Sequence, residues 1–83
     1  MPTITVCFFA GAQAAAGHAA QALTLEEPVT LTALTAELAR QHGEPLVRVL
    51  NVSSFLIDGE AAGPGTRIPD GAQVDVLPPF AGG

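Results

Sequence analysis

The segment LPPFAGG, residues 77–83, holds the residue types whose order could do chemistry. Pro78 and Pro79 restrict φ to about −65° and lack an amide donor, so they end a strand and keep the chain extended. The two glycines at the end of the sequence add almost no width, because they have no side chains. Six residues at about 3.3 Å each reach roughly 20 Å. We predict a narrow, stiff tail that suits insertion into a partner's active-site channel.

The reactive group of such a tail is the α-carboxylate of Gly83. An α-carboxylate is ionised at neutral pH and is therefore a poor electrophile. It becomes reactive only after activation, for example as an acyl-adenylate formed from ATP. Gly83 has no Cβ to obstruct attack on the activated carbonyl, and Gly82 lets the backbone lie close to an activating enzyme. The pattern predicts a terminus that is modified by other proteins.

The charge balance excludes several classes of partner. The formal net charge is −5, with three arginines and no lysine. Nucleic acid or an anionic membrane would be repelled, whereas a basic partner protein would be attracted. Apolar residues make up 48% of the sequence, which predicts some exposed apolar surface for docking. We expect a mature cytoplasmic protein, because no positively charged region precedes the first apolar stretch and no apolar run approaches about 20 residues.

The sequence offers no set of residues for catalysis by this chain alone. Cys7 is the single cysteine, and we predict a buried strand residue rather than a catalytic thiol. His18 and His42 are far apart in sequence, and we predict both to be exposed and without a role. The pattern contains no nucleophile–base pair, metal-ligand set or phosphate loop, so we predict neither a metal site nor an independent enzyme.

The first half of the chain predicts two strands and a helix. Residues 3–9, TITVCFF, are rich in β-branched and aromatic residues and predict a strand. Residues 21–27, QALTLEE, alternate as a second strand that pairs with the first. Residues 31–42 have apolar side chains at helical spacing, with Thr30 as N-cap and Gly43 as stop. This is the only substantial helix that the pattern predicts.

The second half of the chain predicts further strands. Residues 45–52, PLVRVLNV, are compatible with a short helix or an irregular connection. SFLIDGEAA predicts a strand, a turn at Asp58-Gly59 and a short return strand. QVDVLP is the last strand. One main helix must cover one face of a mixed sheet. An α+β domain follows, and it is a β-grasp if the first and last strands are parallel neighbours.

The ending DGAQVDVLPPFAGG resembles the C-terminus of the MoaD/ThiS sulfur-carrier family of ubiquitin-like proteins. The segment VCFFAGAQAAAG resembles the first strand and following turn of the molybdopterin synthase small subunits (MoaD) in that family. The helix, the DG turns and the length also fit, so the resemblance covers essentially the whole chain. It implies a β-grasp domain over residues 1–77 and an extended reactive tail over residues 78–83, flexible at its two glycines.

The resemblance also implies a carrier cycle and its partners. An E1-like adenylating enzyme (MoeB/ThiF type) would use ATP to adenylate Gly83, and a sulfur donor would convert it to a thiocarboxylate. The tail would then enter the molybdopterin synthase large subunit (MoaE type) and deliver sulfur to a pterin precursor for molybdenum cofactor biosynthesis. The carrier itself would bind no cofactor. The implied insertion residues are Phe80, Ala81 and Gly82, and the implied docking residues are Phe8, Phe9, Leu77, Pro78 and Pro79. Strand alternation leaves open which of Phe8 and Phe9 faces outward and which packs in the core.

Other functions remain compatible with the same pattern. The delivered sulfur could serve cysteine, thiamine or a specialised metabolite instead of molybdopterin. A ubiquitin-like modifier would use activated Gly83 to form an isopeptide bond with a target lysine. A β-grasp interaction module with an inert tail is the third class, and it would keep every partner function after the two glycines are deleted.

Overall fold

A computed structural model describes residues 1–79. The predictions for Phe80, Ala81, Gly82 and Gly83 fall outside the described residues. The elements in chain order are β1 (Thr3–Phe8), α1 (Gly11–Ala16), β2 (Ala20–Thr24), α2 (Leu31–His42), α3 (Glu44–Val52), β3 (Ser54–Ile57), β4 (Glu60–Ala61) and β5 (Gln73–Leu77). No helix within residues 1–79 is long and apolar enough to cross a membrane.

The five strands form one mixed sheet in the order β2-β1-β5-β3-β4. β1 and β5 are parallel neighbours at its centre, with Val6 opposite Val74 and Phe8 opposite Val76. The other three pairings are antiparallel. The condition for a β-grasp is therefore met, and the expected fold is confirmed.

α2 has the bounds that its local signals predict. Its buried face consists of leucines at helical spacing, Leu31, Leu34 and Leu38. The Thr30 hydroxyl accepts a hydrogen bond from the Ala33 amide at 3.2 Å and so satisfies one of the unpaired donors of the first turn. Gly43 ends the helix with φ 79°, and its amide donates to the Ala39 carbonyl.

α3 resolves the segment that the sequence left ambiguous. Leu46 and Leu50 are both buried. Residues four apart lie on the same face of a helix, so the helical conformation turns both side chains toward the core. Pro45 lies in the first turn, where its missing amide costs no hydrogen bond. The prediction of a single substantial helix is thus incomplete, because α3 contacts α2 and extends the helical layer.

Strand alternation decides which side chains enter the core. Ile4, Val6 and Phe8 point to the helices and are at most 2% exposed. The prediction that Phe8 belongs to a docking surface is therefore wrong, and Phe9, 42% exposed, takes the outward position. Cys7 lies on the opposite sheet face from Phe8 and is half-buried, so its predicted place in the core is also corrected.

Replacing the capping residue of α2 tests how much that local contact stabilises the fold. Thr30→Ala removes the acceptor for the Ala33 amide, and we expect a loss of about 1 kcal/mol in the free energy of unfolding. Thr30→Ser keeps the hydroxyl and should retain most of the stability. Urea unfolding of the three proteins measures the difference. An equal loss in both variants would show that the methyl group, not the cap, is responsible.

Candidate functional site

The tail leaves the domain at the edge of the sheet where β1 and β5 both end. Because the two strands are parallel, their carboxyl ends lie at the same edge. The Phe9 amide donates to the Val76 carbonyl at 3.3 Å, which continues the pairing by one residue and places Phe9 beside Leu77. Two of the predicted docking residues are thus brought together.

The base of the tail is held from both sides. Val76 lies opposite Phe8 of β1 and Phe55 of β3, and Leu77 lies opposite Ser54. Pro78, half-buried, and Pro79, exposed, follow directly. Neither proline has an amide to donate, so the ladder stops at this point. The position from which the tail departs is therefore set by a central strand.

A shallow apolar groove lies beside the tail base. Its volume is about 250 Å³, and its lining residues are Gly11, Arg48, Val49, Val52, Pro78 and Pro79. Val52 is 62% exposed, which is high for a large apolar side chain. We define the tail-base surface as the apolar residues around the start of the tail: Val52, Pro78 and Pro79 at the groove, and Leu77 with its strand neighbour Phe9. Apolar residues exposed around one point of a fold favour protein contacts there.

Val52 is the residue of this surface that the sequence reasoning missed. Its segment was compatible with either a helix or an irregular connection, and only the helical reading places Val49 and Val52 on one side. Arg48 is 79% exposed at the same groove, with its Nε 3.8 Å from the Glu44 carboxylate. An exposed pair at that distance contributes little to stability, so Arg48 can meet an acidic group of a partner.

The environment of Cys7 lowers the reactivity of its thiol. Burial, and then the charge of Asp75 on the neighbouring strand, raise the pKa of the Cys7 thiol. Both effects disfavour the thiolate, which is the reactive form. Within residues 1–79, no three histidine, cysteine or acidic side chains are grouped to hold a metal ion. The described side chains therefore present an exposed apolar surface around a tail base, and the predicted reactive atom belongs to Gly83.

Comparison with solved structures identifies the fold. The putative molybdopterin converting factor subunit 1 of Pyrococcus furiosus matches with 18% identity, 96% of this chain, 100% of that chain and a TM-score of 0.82. Small archaeal modifier protein 1 of H. volcanii matches with 21% identity, the same coverages and a TM-score of 0.83. A chain in the complex of subunits 1 and 2 of the Helicobacter pylori molybdopterin-converting factor matches with 24% identity, 98% and 99% coverage and a TM-score of 0.69.

These structural likenesses are below 25% identity and establish the fold. No curated protein matches the sequence. The family model described as the ThiS family matches residues 6–83, which is nearly the whole chain and includes the C-terminal glycines. The chain therefore belongs to the ThiS family, whose members are small ubiquitin-like sulfur carriers.

Proposed function

We propose that this ThiS-family protein carries sulfur as a thiocarboxylate on Gly83 and delivers it to a pterin precursor in molybdenum cofactor biosynthesis. The observation that supports the proposal best is the position of the tail base: a central strand, paired on both sides, ends at Leu77 and continues into Pro78 and Pro79. Such a base holds a reactive end at a defined place outside the domain. The carrier needs no catalytic group of its own.

The proposed cycle uses the chemistry of a free α-carboxylate. A carboxylate oxygen of Gly83 attacks the α-phosphorus of ATP in an E1-like enzyme of the MoeB/ThiF type, and pyrophosphate leaves. A sulfide supplied by a sulfur donor then attacks the acyl carbon, and its bond to AMP breaks. The product is a thiocarboxylate. Tethering keeps the sulfur at high effective concentration and in one orientation at the acceptor.

The tail-base surface fits the partners of such a cycle. An enzyme that receives the tail must contact the domain where the tail begins, and there Phe9 and Val52 present apolar area that binding would remove from water. A large subunit of the MoaE type is the proposed receiver. The H. pylori complex of subunits 1 and 2, whose chain shares this fold, supports a two-subunit assembly. We place the cycle in the cytoplasm, where ATP is supplied.

A second candidate is a ubiquitin-like modifier, which would transfer activated Gly83 to a lysine of another protein. The structural similarity to small archaeal modifier protein 1, with a TM-score of 0.83, supports this candidate. Both candidates share the adenylation step and diverge afterwards: the carrier exchanges AMP for sulfur, whereas the modifier exchanges AMP for an amine. Sulfur carriers for cysteine, thiamine or specialised metabolites share the thiocarboxylate and differ only in the acceptor.

The mass of the intact protein tests the carrier chemistry. After incubation with ATP, a sulfide source and an E1-like enzyme, we expect a gain equal to the replacement of one oxygen by sulfur. The gain should localise to Gly83 and disappear when Gly83 is deleted. A protein that is folded but unchanged with active enzymes contradicts the proposal. Conjugates to lysine in place of the sulfur gain would support the modifier.

The adjacent phenylalanines provide a matched test of the docking surface. Phe9→Ala should weaken binding to the large subunit about tenfold, because an exposed aromatic anchor is removed, and should leave the free energy of unfolding within about 1 kcal/mol. Phe8→Ala should lower that free energy by about 3–5 kcal/mol, because a core ring is lost. Calorimetric titration and urea unfolding measure the two effects. Unchanged affinity in Phe9→Ala and in Val52→Ala would remove the tail-base surface from the interface.

A further inference from the structure

The two histidines are brought together by the fold. His18 lies in the turn between α1 and β2, and His42 is the last residue of α2. Their ring centroids are 6.5 Å apart, with an angle of 67° between the ring planes. His18 is exposed as predicted, whereas His42 is half-buried, and its ring centroid lies 6.1 Å from that of Phe8. Distance in sequence therefore gave no indication of this pair.

A chain of hydrogen bonds leads from a carboxylate toward His42. It begins at Glu37, whose ionised carboxylate can only accept hydrogen bonds. The Gln41 amide nitrogen donates to Glu37 Oε2 at 2.7 Å, which fixes the orientation of the Gln41 amide group. The Gln41 carbonyl oxygen is then left to accept, and Gln21 Nε2 donates to it at 2.6 Å.

The same reasoning fixes the tautomer of His42. With its amide nitrogen used as a donor, Gln21 presents its carbonyl oxygen, which lies 2.7 Å from His42 Nε2. A carbonyl oxygen only accepts, so His42 Nε2 must carry the proton. In the neutral ring the other nitrogen, Nδ1, then has an unshared electron pair. None of the hydrogen bonds described for residues 1–79 uses that nitrogen.

The first acceptor in this series of hydrogen bonds is the carboxylate of Glu37, which is held in its ionised form. Arg40 Nε donates to Glu37 Oε1 at 3.0 Å. Hydrogen bonds from Arg40, and then from Gln41, lower the pKa of the Glu37 carboxyl group to about 2. Glu37 is therefore ionised over the neutral and moderately acidic range and keeps accepting from Gln41. The hydrogen bonds of Gln41, Gln21 and His42 follow in order from that acceptor.

We propose that His18 and His42 together form a binding site for a divalent first-row transition-metal ion that prefers imidazole ligands, such as Ni²⁺ or Zn²⁺. A ring nitrogen whose partner nitrogen donates to a carbonyl oxygen is the arrangement that orients metal-binding histidines. The formal charge of −5 favours a bound cation. Water would complete the coordination sphere.

The separation of the rings is compatible with a shared ion. Two imidazoles that bind one ion through nitrogens about 2.1 Å from it have centroids about 5 Å apart at a tetrahedral angle and about 6.5 Å apart when they lie on opposite sides of the ion. The observed 6.5 Å matches the second arrangement. The first requires the exposed His18 ring to move closer by about 1 Å, while His42 is held by Gln21.

An ion at this position would join two elements near the tail base. It would tie the turn before β2 to the C-terminal end of α2. His42 contacts the ring of Phe8, which directly precedes Phe9 of the tail-base surface. An ion that binds the folded protein in preference to the unfolded chain raises its stability in proportion to the logarithm of the ion concentration.

Nickel binding by the full chain, first freed of metal with a chelator, tests the proposal. Titration with Ni²⁺ should show one saturable site per chain and a rise in Tm. Cys7→Ser should bind equally, because the thiol is not a ligand. His18→Asn should lose both the heat of binding and the Tm shift, and it should fold normally because His18 is exposed. Equal binding or an equal Tm shift in His18→Asn would overturn the site.

The series of hydrogen bonds from Glu37 to His42 can be tested separately from metal binding. In the wild-type chain without metal, nitrogen NMR of the neutral His42 ring should show the proton on Nε2. Gln41→Ala should produce a mixture of tautomers and weaken Ni²⁺ binding about tenfold. Gln73→Ala is the matched control, because that amide donates to Asp75 on β5 and should change neither result. A wild-type proton on Nδ1 would overturn the proposal.

Discussion

The parallel pairing of β1 with β5 is the constraint on which the rest of this molecule depends. It joins the start of the chain to the end of the domain, and a contact of such long range has a large loop-closure entropy cost. Burial offsets that cost: Ile4, Val6, Val74 and Val76 have no exposed surface. The parallel direction of this pairing also matters. Only parallel strands bring the residue after β1 and the residue before the prolines to one edge of the sheet.

That direction determines what the tail base can do. β5 lies between β1 and β3, so its last residues are paired on both sides and cannot separate from the sheet as an edge strand can. A reactive group gains from a base of this kind, because precision at the reacting atom depends on a rigid support. α3 adds the apolar wall beside Pro78 and Pro79 through Val49 and Val52. The fold thus supplies position and surface, while the proposed chemistry belongs to the terminus and to partner proteins.

The parts that could be predicted from sequence are those set by local signals. Thr30 and Gly43 mark the two ends of α2. The alternation of side chains along β1 and β5 shows which residues of each strand share a face of the sheet. The resemblance carried by the C-terminal motif gave the family. What could not be predicted depends on tertiary contacts. Whether Phe8 or Phe9 is buried depends on where the helices lie.

α3 and the histidine pair could not be predicted from sequence for the same reason, because both depend on tertiary contacts. Residues 45–52 include three β-branched valines, which weaken the helical signal until Leu46 and Leu50 are seen to pack on the core. The approach of His18 to His42 has no local signature at all. It follows from the packing of α2 against the sheet, which brings the helix end to Gln21 of β2.

The state of Cys7 fits a carrier that holds activated sulfur. A thiolate near an acyl-adenylate would compete with the sulfur donor, because its attack on the acyl carbon would form a thioester and release AMP. In this chain the single thiol is half-buried on β1, and burial together with Asp75 raises its pKa. Both features keep the group protonated and slow to react. Because Asp75, which helps to raise this pKa, lies on the strand that leads to the tail base, the fold that presents the proposed reactive end also lowers the thiolate fraction of Cys7.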